Sequence, residues 1–160
     1  MLLCCHTYFS LRYGTLSPSQ LLEAAAQNGC KALALTDINN TSATIDSLRL
    51  TEEIGIKLSI GIDFQNGIEQ CYVGIAKNNE GYRELNQHLS EYSHKGQPFP
   101  QLAPNFEYVN IIYPLSKYSG HKLKNYEFTT ISAKEVSILP FLYKDLGLSK
   151  CVILQPLSFI

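Results

Sequence analysis

No stretch of this 160-residue chain approaches the roughly 20 consecutive apolar residues of a membrane helix, which excludes a helical membrane span. No positively charged residue precedes the short apolar run Met1-Leu2-Leu3-Cys4-Cys5, so a secretory signal is not expected. There is no excess of either charge. The formal net charge is -1, so a basic groove for nucleic acid is not visible in the totals. That argues against the chain holding DNA by itself and leaves room for a role inside a larger nucleic-acid enzyme. The five cysteines are odd in number and their spacing suggests no disulfide framework. Cys4, Cys71 and Cys151 sit in apolar, strand-like runs where a free thiol is a small core residue, and a reducing, cytoplasmic compartment is expected. Internal repeats and low-complexity segments are lacking. Trp is absent too, which excludes nothing.

What is present is an ordinary globular balance, 45% hydrophobic and 17% charged, in a length that fits one domain. Residues 2–5 are a short apolar run, read as a buried strand. Ser17-Pro18-Ser19-Gln20 opens a helix with Ser17 as N-cap, Pro18 at the first helical position and Gln20 completing a capping box; Gly29 ends it. Ala32–Thr36 reads as a second buried strand. A helix to about Glu53 follows, and Leu58, Ile60 and Ile62 alternate as a third strand. This β-α-β-α-β order implies parallel strands and right-handed crossovers. Asn66-Gly67 is a hairpin signal, with residues 71–76 returning antiparallel. A helix over roughly 80–93 comes next, then a proline-bearing loop over 94–107. Val109–Tyr113 is a buried strand, 114–126 a Lys-rich loop, Ser132-Ala133-Lys134-Glu135 a capping box whose helix Pro140 kinks or shortens, and Val152-Ile153-Leu154 a last strand. The apolar end Ser158-Phe159-Ile160 is expected to mark a piece of a longer chain.

Parallel α/β folds place their chemistry at the carboxyl ends of strands. His6, Asp37 and Asp63 each follow one of the first three strands. Imidazole and carboxylate together suit zinc, manganese or iron, ions that activate water for phosphoester hydrolysis. Each residue also has a plainer role: His6 as a satisfied structural histidine, Asp37 ordering its turn by Asx-type bonds, Asp63 as a turn residue before the hairpin. Even together they are too few for a full catalytic metal cluster. His88 and His94 lie off one helical face and do not read as a metal pair; His94 and Lys95 complement a helix C-terminus. Lys117, His121, Lys122 and Lys124 read as a solvated basic loop, with a DNA backbone contact as the sharper alternative.

These motifs resemble those of a known family. Cys4-Cys5-His6-Thr7-Tyr8-Phe9-Ser10-Leu11-Arg12-Tyr13-Gly14 resembles the first motif of the PHP (polymerase and histidinol phosphatase) domain, His-x-His-Ser followed by an aromatic, a Ser and Asp-Gly. Leu35-Thr36-Asp37-Ile38-Asn39 is similar to the second motif, Thr-Asp-His, and residues 57–64 to the third, which ends Gly-x-Glu. Residues 76–85, Ala-Lys-Asn-Asn-Glu-Gly-Tyr-Arg-Glu-Leu, are similar to a segment of the PHP domains of bacterial DNA polymerase III alpha subunits. The clearest resemblance covers residues 3–90 of a single domain spanning 1–160, with 108–160 as its second part.

The resemblance implies a partial or distorted (β/α)7 barrel of mostly parallel strands with one antiparallel hairpin near 63–76; an open layered α/β sheet is the alternative. It also implies which ligands are missing. Family metal positions fall on Cys4, Tyr13 and Ile38, and the third-motif Glu falls on Asp63. The resemblance therefore implies a vestigial metal site of His6, Asp63 and Cys4, lined by Asp37, Asn39, Ser10 and Tyr13, with no catalytic residue assigned. The family uses divalent zinc, manganese, iron or magnesium, but no cofactor is expected in this chain. The implied role is a structural or exonuclease-docking domain of a replicative polymerase. Its partners would be the rest of the alpha chain and the proofreading exonuclease subunit, with DNA met only through the full-length protein and no membrane. An active metal-dependent phosphoesterase, of phosphatase or 3′–5′ exonuclease type, is the alternative.

Overall fold

The structure, a computed structural model, describes residues 2–118, 122–132, 135 and 146–153. Its elements are β1 (Leu2–Cys5), α1 (Pro18–Gln27), β2 (Ala32–Leu35), α2 (Thr44–Ile54), β3 (Lys57–Asn66), β4 (Glu69–Ala76), α3 (Asn79–Lys95), β5 (Val109–Tyr113), β6 (Glu127–Thr130) and β7 (Cys151–Val152).

Local chemistry explains the helices. Ser17 accepts from the Gln20 amide at 3.2 Å and Gln20 reaches back to the Ser17 amide at 2.9 Å, closing the capping box of α1. The α2 helix stops at Gly55, and α3 at Gly96, each in the left-handed region that favours glycine. Asn78 caps α3 through the Gly81 amide, and His94 and Lys95 occupy its last turn. The helix extends to Lys95, two residues into the segment expected to be loop.

The strands form one seven-stranded sheet in sequential order, β1 to β7. All neighbours are parallel except those of β4, which runs against both β3 and β5. This is the expected mostly parallel partial barrel with one reversed hairpin. Two outer cores flank the sheet. Leu21, Leu22, Leu33 and Leu35 pack α1 and α2 against β1–β3, and Phe64, Tyr72, Leu85 and Ile111 pack α3 against β3–β5. A smaller inner core joins Ala34, Val73, Ile75 and Ile112, with Leu3, Phe128 and Val152 packed on it.

Three sequence expectations need correction. Residues 63–66 are not a turn after the third strand: β3 runs on through Asp63 to Asn66, because its far edge pairs with β4. The turn itself is Gly67-Ile68, with glycine at φ 64° in the first central position, a type II′ pattern. A strand over Glu127–Thr130 was not expected, since this polar stretch has no apolar run; parallel pairing to Ile111–Tyr113 makes it. The final strand is Cys151–Val152, and Leu154 lies outside the described residues. The helix expected after Ser132 and the kink at Pro140 also lie outside them, although the Ser132 amide does donate to Glu135 at 2.7 Å.

Candidate metal centre

The inner face at the carboxyl end of β1–β3 carries the chemistry, and a bulge in β1 sets who faces it. Leu2 aligns with Leu33, but Cys5 aligns with Leu35, so three residue steps in β1 match two in β2. Strict alternation would set Leu2 and Cys5 on opposite faces; both pack in the outer core instead. The extra residue re-aims the chain beyond it, and Cys4 and His6 turn inward together.

His6 Nε2 lies 3.5 Å from Cys4 Sγ and 3.3 Å from Asp63 Oδ2. Cys4, His6 and Asp63 are buried, and their ligand atoms all lie within 4.8 Å of one another, the one such group among the described residues. Burial opposes a charge on His6, but Asp63 and Cys4 outweigh it and push its pKa up to about 10. One Nε2 hydrogen cannot serve both neighbours, and the carboxylate is the stronger acceptor.

Asp63 is further clamped by two amides that sequence reasoning missed. Gln65 Nε2 donates to Oδ2 at 2.8 Å and Gln70 Nε2 to Oδ1 at 2.9 Å. Both glutamines flank the hairpin turn, and no sequence pattern marks them; only the β3–β4 register brings Gln70 back over Asp63. Gln65 Oε1 is buried without a hydrogen-bond partner among the described residues, as is Thr36 Oγ1.

Asp37 belongs to a different network. Its Oδ1 accepts from the Thr7 amide at 2.7 Å and from Ser10 Oγ at 2.6 Å, and its Oδ2 accepts from Thr7 Oγ1 at 2.7 Å. Ser10 Oγ in turn accepts from the Ile38 amide at 2.9 Å. These charge-assisted bonds tie the loop after β1 to the end of β2. Gly14 closes the same loop: a Cβ there would sit 1.9 Å from the Thr7 carbonyl oxygen. Asn39, at φ 50°, pairs its side-chain amide with both backbone groups of Gln65, at 2.8 and 2.9 Å, adding one more rung to the ladder past the end of β2. Tyr13 is 39% exposed on the loop surface.

The three donors fit one ion and no more. Thiol, imidazole and carboxylate form the kind of set that zinc accepts. Position 38 is an isoleucine, and both Asp37 oxygens already accept hydrogen bonds. Among the described residues, the other histidines and the basic residues Lys117 and Lys124 lie elsewhere. His88 is buried in an aromatic cluster with its Nε2 2.6 Å from Tyr72 Oη. Lys117 pairs with Glu69, and Lys124 with Asn105 and Glu127; His121 lies outside the described residues.

The PHP domain profile matches residues 3–132. Comparison with curated proteins finds no match. Among solved structures, a protein from Bifidobacterium adolescentis, assigned as a metal-dependent phosphoesterase, is 26% identical at TM-score 0.45, covering 58% of this chain and 31% of its own. An amidohydrolase from Chromobacterium violaceum, with bound sulfate and no metal, is 20% identical at TM-score 0.41, covering 57% of this chain and 34% of its own. A two-domain protein from Bacteroides vulgatus, with a part assigned as a PHP-like metal-dependent phosphoesterase, is 11% identical at TM-score 0.47, covering 86% and 40%. The chain thus corresponds to well under half the length of each.

Proposed function

The chain belongs to the PHP domain family, and on that premise we propose that it is the N-terminal PHP domain of a bacterial replicative DNA polymerase, the DNA polymerase III alpha subunit, serving structure and docking rather than phosphoester hydrolysis. The observation that supports the loss of hydrolysis most directly is the state of Asp37. Three hydrogen bonds from Thr7 and Ser10 occupy its carboxylate, and the next residue, Ile38, offers no donor. Hydrolysis by two or more ions needs a cluster of ligands that one Cys-His-Asp group, the one such group among the described residues, does not supply.

The polymerase assignment rests on residues 76–85. They span the β4–α3 junction, where Asn78 caps the helix and Gly81 lets it approach β5: a Cβ there would lie 2.0 Å from the Tyr108 carbonyl oxygen. In this reading the domain works in the cytoplasm during DNA replication. It contacts the rest of the alpha chain and the proofreading exonuclease subunit, and it meets DNA only through the full-length protein. Among the described residues no helix is long and apolar enough to cross a membrane.

The test is an assay of the purified chain with manganese on a phosphomonoester and on a DNA 3′ end, beside a binding titration with the exonuclease subunit. No turnover above the His6→Ala variant, with saturable exonuclease binding, is the expected result. The second reading, an active phosphoesterase, is favoured by the Cys4–His6–Asp63 group itself. Manganese-stimulated hydrolysis that disappears in His6→Ala would put that reading in first place.

A further inference from the structure

We propose that His88 is the latch of a pH-gated strap: its neutral imidazole holds residues 97–106 against α3, and protonation lets that strap open while the sheet stays folded. The latch belongs to the outer core and does not involve the Cys4–His6–Asp63 group.

The strap has little to hold it by itself. It joins α3 to β5, and Gln97-Pro98-Phe99-Pro100-Gln101-Leu102-Ala103-Pro104-Asn105-Phe106 carries no charge and forms neither helix nor strand. Side chains peg it from outside. Asn66 pairs with both backbone groups of Phe99, at 2.8 and 2.9 Å, and Tyr113 Oη accepts from the Ala103 amide at 3.1 Å. The strap's own aromatics, Phe99 and Phe106, close over His88 with ring centroids at 5.9 and 5.5 Å. Phe64 at 5.2 Å and Tyr92 at 4.8 Å complete the box.

The hydrogen bond inside the box makes it sensitive to a proton. Tyr72 Oη lies 2.6 Å from His88 Nε2, and Tyr72 is fully buried. A neutral ring accepts the phenol hydrogen at Nε2, which satisfies both groups. A protonated ring carries hydrogen on both nitrogens and only donates. Tyr72 must then turn its own hydrogen away, and Tyr72 Oη has no second partner among the described residues. A buried donor left without an acceptor is costly, and opening the strap hydrates both groups. Burial acts in the same sense by lowering the His88 pKa, with Glu91 pulling the other way.

Few other titratable or charged groups face the ring. Its own helix brings Tyr92, His94, Glu84, which holds the Glu107 and Tyr108 amides, and Glu91, which pairs with Lys95 at 2.7 Å. β4 brings Tyr72, β5 brings Tyr113 behind it, and the strap brings none. His88 also lines, with Pro104, Asn105 and Phe106, an open groove of about 970 Å3 beside α3, so a proton reaches it from that side.

The experiment is amide hydrogen exchange on the full 160-residue chain from about pH 5 to 8, corrected for the intrinsic pH dependence of exchange. Below about 6.5, the ordinary histidine value, the opening constant at the Phe99 and Ala103 amides should climb by up to tenfold per pH unit, one proton being taken up on opening, and flatten at the folded pKa. The Leu33 and Leu35 amides of β2 should not follow. His88→Gln, whose amide still meets Tyr72 Oη, should remove the climb. If that variant does not fold, a nitrogen-15 titration of the His88 ring in the native chain decides the matter, its midpoint falling where the climb flattens. A flat profile at the strap, a climb that persists in His88→Gln, an equal climb in β2, or a ring midpoint at or above about 6.5 overturns the latch.

Discussion

Thr7 holds Asp37 by both oxygens, its amide donating to Oδ1 and its hydroxyl to Oδ2, each at 2.7 Å. Thr7 and Asp37 are both buried, so the bonds form away from competing water. The consequence is mechanical: the loop after β1 is pinned to the end of β2.

Removing that pin should be expensive. Asp37→Ala leaves the Thr7 amide and two hydroxyls without their acceptor, and a loss on the order of 3 kcal/mol is expected from bonds to a charged group. Urea unfolding of the two proteins measures it. A loss below about 1 kcal/mol would mean that the network contributes little.

Gly14 should be coupled to the same network. In Gly14→Ala the new Cβ meets the Thr7 carbonyl oxygen, and the loop must shift away from Asp37. A double-mutant cycle with Asp37→Asn should give an interaction energy of about 1 kcal/mol or more, since the two sites share Thr7. Simple additivity would show that the loop moves without disturbing the carboxylate.

Asn39 makes an ordered series possible. At φ 50° its backbone suits glycine, while its side chain bonds both backbone groups of Gln65. Asn39→Gly loses the bonds but relieves the left-handed cost; Asn39→Ala loses the bonds and keeps it. Alanine should therefore be the less stable by about 1 kcal/mol. Thermal melts of the three proteins check the order, and glycine falling below alanine would contradict the strain argument.

The two buried histidines should bend stability in opposite directions with pH. Burial lowers the His88 pKa, Glu91 pulling weakly the other way; the rings of Phe64, Tyr92, Phe99 and Phe106 also surround it, with Tyr72 Oη on its Nε2. The unfolded chain binds that proton near pH 6.5, so the His88 contribution is full above that value and is lost as pH falls through the folded pKa. His6, raised to about 10, contributes fully below about 6.5 and loses its share as pH rises toward 10. Denaturation of wild type and His88→Gln from about pH 5 to 8 isolates the acid limb. An acid loss equally steep in His88→Gln would assign it to another group.

Much of the fold was legible along the chain. Ser17-Pro18-Gln20, the glycines after α1 and α2, and the apolar runs at 2–5, 32–36 and 109–113 act through neighbours within a turn or a strand, so local order suffices to read them. Strand β6 was not legible, because Glu127-Phe128-Thr129-Thr130 puts one aromatic on the inner core among polar residues and owes its existence to pairing with β5. The extension of β3 through Asp63-Phe64-Gln65-Asn66 was missed for the same reason: Asp and Asn disfavour strands, and antiparallel pairing with β4 overrides them.

For the candidate site, the sequence by itself determined the residue types at the strand ends: a Cys and a His at the first, an Asp without a following His at the second, an Asp at the third. Those identities limit the donors whatever the fold. Only the tertiary structure decided their grouping. The β1 bulge turns Cys4 inward with His6, the register of β3 and β4 adds Gln65 and Gln70 to Asp63, and Thr7 and Ser10 draw Asp37 into a separate network. Side-chain chemistry is written residue by residue, whereas the facing of a strand depends on hydrogen-bond register with partners far along the chain, as Leu2 pairs with Leu33 and Val73 with Ile112.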